Sequence, residues 1–365
     1  ATVILSDVRY SLSRTSRENS EITAETIPSI EMYTYFFNIT NSERFLSGED
    51  AKLSIEEVGP FVYLEHRTNK DLELDVDAGI LRYTPTSTRT FLPERSIADP
   101  KDVYLMLPNI AVLGVTSVVS TYAYFTRLGF NVLSERLDLQ PIVNVSVHDY
   151  LFGYKDPLIS LGNTFMPAWV YFDVIGIFDR MYDPRRSYRL EVSTRNYNRF
   201  EIKLRNGQKG LSIVFIFRTS CNSFENVYEG VGYPMDLTPE VPVRFFHDMI
   251  CRFMDLEYVE TTVTDYGSDA LRYKFKNDVY VMDENKKCYC SKGSCIDGAS
   301  DVSPCYFDFP FSVSDAHFTG ADPKIYEHIE GLKPDPVRFQ SLFLVEPVST
   351  VQNGQVNNIV FKHTQ

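Results

Sequence analysis

The chain has 365 residues, with 49 Asp and Glu against 36 Lys and Arg, a formal net charge of −13. That balance excludes a nucleic-acid partner, whose affinity comes from neutralising phosphates, and a general attraction to anionic membrane surfaces. Hydrophobic residues at 44 % and charged residues at 23 % fit a globular body large enough to bury a core, and 23 Tyr and 26 Phe against one Trp favour pleated, half-buried surfaces. No apolar run reaches the roughly 18 residues of a spanning helix. The start at Ala1, with no basic segment followed by an apolar core, reads as a processed or partial chain.

Met32 to Ile39 is aromatic and β-branched and predicts a strand. Glu57 to Leu64 predicts another, with Gly59-Pro60 suited to a bend or an edge. Leu72 to Val76 and Ile80 to Tyr83 flank Asp77-Ala78-Gly79, a hairpin turn. Ile110 to Leu137 predicts buried helix, apolar on too many sides for a surface element. Arg199 to Leu204 and Leu211 to Phe217 flank a turn at Asn206-Gly207. A second helix is predicted from Thr238-Pro239, because Phe246, Met249, Ile250 and Phe253 repeat at i, i+3, i+4, i+7 and leave Cys251 off that stripe. Strands at Tyr258 to Thr264, Leu271 to Phe275, Val279 to Met282, Leu342 to Val345 and Asn358 to Phe361 complete the pattern. No repeat or linker divides the chain, so residues 1–365 are expected to form one domain.

The six cysteines, Cys221, Cys251, Cys288, Cys290, Cys295 and Cys305, lie in one stretch. Zinc sites present pairs spaced by two to four residues, whereas Cys288 and Cys290 have only Tyr289 between them. An even number of cysteines beside two glycosylation sequons, at Asn38 and Asn144, favours disulfides in an oxidising compartment. The spacing leaves the connectivity open. No nucleophile elbow, P-loop, dinucleotide fingerprint or His-Glu-x-x-His motif is present, and His148-Asp149 and His247-Asp248 read as the polar surface of helices. An enzyme is therefore not expected, nor a metal or other cofactor. Nine basic residues between Arg180 and Lys209 read as the solvated face of hairpins rather than as an anion-binding patch.

Several short motifs stand in order along the chain: Tyr35-Phe36-Phe37-Asn38-Ile39-Thr40-Asn41, Gly59-Pro60-Phe61-Val62-Tyr63, Phe91-Leu92-Pro93 with Ser96, and Leu151-Phe152-Gly153-Tyr154-Lys155-Asp156-Pro157. Gly176 to Tyr182, Ile250-Cys251-Arg252, Cys288-Tyr289-Cys290, Ala316-His317-Phe318, Gly331-Leu332-Lys333-Pro334 and Glu346-Pro347 follow. In this order, and with these cysteines, the chain resembles the ectodomain of the class B scavenger receptor family, from about Met32 to Pro347. The resemblance implies an α+β, mainly β fold: an antiparallel β-barrel core, a helical bundle at the apex and an internal hydrophobic tunnel. It implies membrane spans on either side of this region, which would be extracellular or luminal at the plasma membrane or lysosome. Its partners would be lipids (fatty acids, phospholipids, sterols) or lipoproteins, with a protein ligand as the alternative. By the same resemblance Cys221 pairs with Cys288, Cys251 with Cys305 and Cys290 with Cys295. Ligand contacts are expected at the apex from Arg136, Tyr122, Phe125, Phe130, Phe245 and Phe246. Arg136 could pair with a carboxylate head beside apolar walls, or serve only as a helix-end cation.

Overall fold

The computed structural model describes residues 7–12, 30–165, 170, 172–179, 187–211, 222–230, 232–234, 237–247, 252–263, 269–276, 280, 287–290, 296–303, 311–339, 342–345 and 359–361. In chain order the elements are β1 (Asp7–Leu12), β2 (Ile30–Ile39), α1 (Ser42–Ser47), β3 (Leu53–Asp75), β4 (Ile80–Phe91), β5 (Tyr104–Pro108), α2 (Ile110–Ser120), α3 (Tyr124–Arg136) and β6 (Ile142–Ser146). There follow α4 (Val147–Phe152), α5 (Pro157–Phe165), β7 (Leu190–Ser193), β8 (Ile202–Arg205), β9 (Val243–His247), β10 (Arg252–Val263) and β11 (Asp269–Phe275). Short strands β12 (Ser300–Asp301), β13 (Ser312–Val313) and β14 (Ile329–Glu330) precede β15 (Leu342–Val345) and β16 (Ile359–Phe361).

Two antiparallel assemblies dominate. A seven-stranded sheet runs β1-β2-β3-β4-β7-β8, with β14 added in parallel to the start of β3. A five-stranded sheet runs β16-β15-β11-β10-β9. The segment 227–229 stitches one to the other, since the Ile202 N–H donates to the Val227 carbonyl (2.8 Å) and the Tyr228 N–H to the Arg244 carbonyl (2.7 Å). On the opposite side β1 runs next to β16, but among the described residues no hydrogen-bonded ladder joins them. The fold is therefore mainly β, as the composition implies, and the expected closed barrel is not found among the described residues.

Local chemistry explains the strand boundaries. The β3–β4 hairpin turns at Asp77 to Gly79, where the Asp75 carboxylate accepts from the Ala78 N–H (3.0 Å) and Gly79 takes a φ of 68°. That left-handed conformation suits glycine. Asn206 and Gly207 take φ values of 50° and 74°, with Arg205 and Gln208 exchanging both backbone hydrogen bonds. This is the primed turn that Asn-Gly favours. Gly59-Pro60 lies in β3 where the register with β2 slips between Thr34 and Phe36, and β4 starts pairing only at Tyr63. The proline thus occupies a bulge on a locally unpaired side, as a missing N–H requires.

Three apolar clusters hold the sheets. One face of the larger sheet (Met32, Phe36, Phe61) packs against Leu105 and Leu107 of β5, Ile110 and Ala111 of α2, and Tyr150 and Leu151 of α4. Val243, Phe245, Met254, Leu271, Tyr273 and Phe343 form a second cluster on the smaller sheet. Between the sheets, Tyr83, Val192, Ile202 and Phe224 meet Phe246 and Phe253.

The predicted second helix is not formed. Thr238 to Val241 make a turn, with the Val241 N–H donating to the Thr238 carbonyl at 3.1 Å. Phe246 then sits in β9, directly opposite Phe253 of β10. His247 ends a strand rather than facing outward from a helix, and Met249, Ile250 and Cys251 lie outside the described residues. Residues 212–217 and most of Val279 to Met282, both read as strands, also lie outside them.

Candidate ligand-binding site

The first predicted helical segment divides in two, and its foot is the best-anchored part. Asn109 caps α2, its Oδ1 accepting from the Val112 N–H (3.2 Å) and from the Tyr154 hydroxyl (3.3 Å). Its Nδ2 donates to Asp156 Oδ2 (3.0 Å), whose other oxygen accepts from the Leu158 N–H (2.8 Å) at the start of α5. The Tyr154 oxygen accepts in turn from the Ile110 N–H (3.0 Å), and the Tyr150 hydroxyl donates to the Pro108 carbonyl (2.9 Å). Burial holds both phenols well above their ordinary range, so they stay neutral and can donate. Fully connected networks of this kind fix a single arrangement.

From that foot α2 climbs out of the core. Ile110, Ala111, Val112 and Gly114 are buried, whereas its last residue, Ser120, is exposed. The Ser120 and Thr121 hydroxyls donate to the Ser117 and Val118 carbonyls (2.6 and 2.8 Å), where α2 ends. Helix α3 then begins at Tyr124 and buries none of its residues. Even so, Phe125 is 81 % and Val132 51 % exposed, and Tyr122, Tyr124 and Leu128 are exposed too. At about 100° per residue, Tyr124, Phe125, Leu128 and Val132 share one face of α3, and Arg136 follows one turn after Val132 at its edge. The Tyr124 and Phe125 rings meet edge to face at 5.6 Å.

The expected apex residues therefore separate. Phe125 and Arg136 lie on one stripe, with Tyr122 exposed in the turn before it. Phe130 is half-buried on the other side of α3. Phe245 and Phe246 do not belong to this surface: they are 5 % and 9 % exposed, on opposite faces of β9, each inside a different apolar cluster. Tyr124, Leu128 and Val132 were not singled out from the sequence, although their i, i+4, i+8 spacing within a separately read α3 carries the signal.

Cys288 and Cys290 are both disulfide-bonded, and no described cysteine is free. Cys221, Cys251, Cys295 and Cys305 lie outside the described residues. Asn144 is exposed on β6, and Ser146 of its sequon caps α4 by accepting from the Asp149 N–H (3.1 Å). Asn38 is half-buried in β2; its Oδ1 accepts from the Met106 N–H (2.9 Å) and one Nδ2 hydrogen goes to Glu56 (3.0 Å). The second Nδ2 hydrogen is the one a glycan bond would replace.

Of the basic stretch, Arg180, Arg185 and Arg186 lie outside the described residues, and three of the others meet neighbouring groups. Arg189 pairs with Glu73 (2.7 Å), Lys203 with Glu201 (2.8 Å), and the Arg205 guanidinium lies 4.0 Å from the Tyr188 ring centre. Among the described residues no group of three or more His, Cys, Asp or Glu side chains is arranged to hold a metal ion.

A sequence profile of the CD36 family matches residues 12–356. The chain belongs to the CD36 family. It is 29 % identical over 326 residues to scavenger receptor class B member 1 of Cricetulus griseus, covering 87 % of this chain and 62 % of that one. It is 26 % identical over 337 residues to lysosome membrane protein 2 of Homo sapiens (89 % and 67 %), and 26 % over 324 residues to protein peste of Drosophila melanogaster (86 % and 57 %). The chain thus spans about three-fifths of the scavenger receptors that it matches. Among these CD36-family relatives are proteins named as a class B scavenger receptor and as a lysosome membrane protein. Among the described residues no helix is long and apolar enough to cross a membrane.

Proposed function

We propose that this chain is a single scavenger-receptor ectodomain that captures amphipathic lipid, free or on a lipoprotein surface, on the outer face of α3. Arg136 pairs there with an anionic head while Phe125, Leu128 and Val132 meet the acyl portion. The observation that carries this reading is a whole helix with no buried residue that nevertheless displays a contiguous aromatic and aliphatic face. Monomeric soluble proteins rarely leave such a face open unless it binds something. Captured lipid then passes through an apolar tunnel in the β scaffold toward the membrane. The proposed bridges Cys221–Cys288, Cys251–Cys305 and Cys290–Cys295 would link, in sequence, the segment before β9 to the one after β11, the β9–β10 connection to the segment after β12, and two points within the β11–β12 segment. Glycans at Asn38 and Asn144 complete the receptor, which acts by binding rather than by catalysis.

Binding of the glycosylated ectodomain to vesicles and lipoproteins tests the capture step. Burial of Phe125 and Val132 is worth about 2–4 kcal/mol, so Phe125→Ser combined with Val132→Ser should weaken binding at least about tenfold while leaving the melting temperature unchanged. Arg136→Ala should reduce the preference for anionic over neutral lipid. Absence of binding to every lipid class, or undiminished binding by the double variant, would overturn the proposal. Loss of a protein ligand in the Phe125 variant with lipid binding retained would instead favour a protein-interaction receptor.

A further inference from the structure

The small sheet of β5 and β6 carries no charged residue: its strands read Tyr-Leu-Met-Leu-Pro and Ile-Val-Asn-Val-Ser. Leu105, Leu107 and Val145 fill the apolar core on one face. Alternation turns Tyr104, Met106, Ile142 and Asn144 to the other face. There Tyr104 is 63 % exposed and Asn144 is exposed, while Met106 and Ile142 are half-buried. Among the described residues neither strand belongs to a larger ladder. Apolar strands with open edges invite pairing with other chains, and natural proteins blunt them with charge, proline or a cover. Pro108 ends β5, but β6 has neither a charge nor a proline.

Asn144 stands at the centre of β6 and begins the sequon Asn144-Val145-Ser146. Its partner across the sheet is Met106, whose N–H points away from β6 to the Asn38 Oδ1 (2.9 Å). Met106 and Asn144 are therefore a non-hydrogen-bonded pair, the closer of the two kinds in an antiparallel ladder. Tyr104, opposite Ser146, is the diagonal neighbour of Asn144 on the same face. Such neighbours stand roughly 7–8 Å apart, within reach of an aromatic side chain. A pyranose ring presents a face of C–H groups, and the electron-rich face of a phenol ring attracts it.

We propose that the glycan placed above at Asn144, on which this inference depends, lays its first N-acetylglucosamine over the Tyr104 ring and so closes the outer face of β5 and β6. The ring supplies an apolar platform for the sugar, and its hydroxyl stays in water. The bulk of the glycan then covers an edge that the strand residues leave undefended. The sugar is thus part of the packing of this sheet, on elements separate from the α3 surface.

Hydrogen exchange of the β5 and β6 amides, on the ectodomain secreted with its glycans, tests this. Trimming the glycans with an endoglycosidase to their first sugar should leave protection unchanged. Asn144→Gln should lower protection about threefold to tenfold, the range of one stacked aromatic contact. Tyr104→Thr, which keeps a good strand former at an exposed position, should lower it to a similar extent with the glycan present and have little effect in the Asn144→Gln background. Glycopeptide mass spectrometry reads the premise by itself: an unoccupied Asn144 would overturn the glycan and its seat together. With Asn144 occupied, equal losses from Tyr104→Thr in both backgrounds, unchanged protection in Tyr104→Thr, or a loss on trimming to one sugar would overturn the stacking alone.

Discussion

Asn109 joins the start of α2 to Tyr154 and Asp156, and replacing it tests how much that network at the foot of α2 stabilises the fold. Asn109→Ala removes a helix cap worth about 0.5–2 kcal/mol. It also removes a hydrogen bond to the buried carboxylate of Asp156, a class of bond worth about 1.5–3 kcal/mol. The Tyr154 hydroxyl loses its acceptor too. These terms share partners and do not add fully, so a loss of about 3 kcal/mol is expected. For a chain of 365 residues, an unfolding entropy of about 2.1 cal/mol/K per residue converts that to a melting shift of about 4 °C. Calorimetry with the disulfides intact reads it, and faster hydrogen exchange in the first turn of α2 locates it. Asn109→Asp sharpens the test, because it keeps the cap but sets a carboxylate against Asp156. One of the two must then hold a proton in the folded state, with its pKa raised above the unfolded value. That penalty is full above the raised pKa and fades as pH falls through it, so the variant should be markedly destabilised at pH 7.5 and recover toward pH 4.5. A melting shift within about 1 °C for Asn109→Ala, or wild-type stability of Asn109→Asp at pH 7.5, would refute the reasoning.

Three further outcomes follow from the same geometry. His317, buried between the rings of Phe37 and Phe339 and within 2.7 Å of Glu57, fastens the segment before β14 to β3. His317→Ala should cost about 2–4 kcal/mol in chemical denaturation, and a cost within about 0.5 kcal/mol would show that this contact carries no stability. Glu65 is buried in β3, and that burial raises its pKa, against the lowering effects of Ser87 and Arg67. Its ionised form is therefore a cost above the folded pKa that disappears as pH falls below it, so Glu65→Gln should be more stable than the parent at pH 7.5, with the gap closing toward pH 4. A gap independent of pH would exclude this linkage. Mass spectrometry of nonreduced peptides should recover Cys221–Cys288, Cys251–Cys305 and Cys290–Cys295, and a Cys288–Cys290 peptide would break the proposed pairing.

Features set by neighbours in sequence were the legible ones. Asp77-Ala78-Gly79 and Asn206-Gly207 predicted turns because positive φ and side-chain acceptors are local requirements, and both turns formed where expected. Gly59-Pro60 pointed to a bend or an edge; the register does slip there, but β3 lies between β2 and β4 rather than at an edge. A β carbon at Gly59 would stand 2.9 Å from the Thr34 carbonyl oxygen, so the bulge needs glycine at that position. Partnerships across the chain were not legible. Nothing in the sequence near Arg189 names Glu73, more than a hundred positions earlier, as its partner. His148 likewise read as helix surface, and only the fold sets it beside Arg89, Lys101 and Phe152.

The misread helix follows from a degeneracy in the apolar pattern. Residues 246 and 253 are seven apart, which on a helix is about two turns and puts them on one face. A hairpin that turns midway between them sets the same two residues opposite each other, and here their rings lie 5.2 Å apart across the β9–β10 ladder. Alternation would normally separate the cases, because a strand with one wet face shows apolar residues at every second position. β9 and β10 have no such face at this point. Phe245 and Met254 pack into the cluster of the smaller sheet, while Phe246 and Phe253 pack between the two sheets. Consecutive residues are therefore apolar in both strands, and the period of two is erased. The same two-sided burial removes Phe245 and Phe246 from any ligand surface. Phe125 on α3, by contrast, is 81 % exposed.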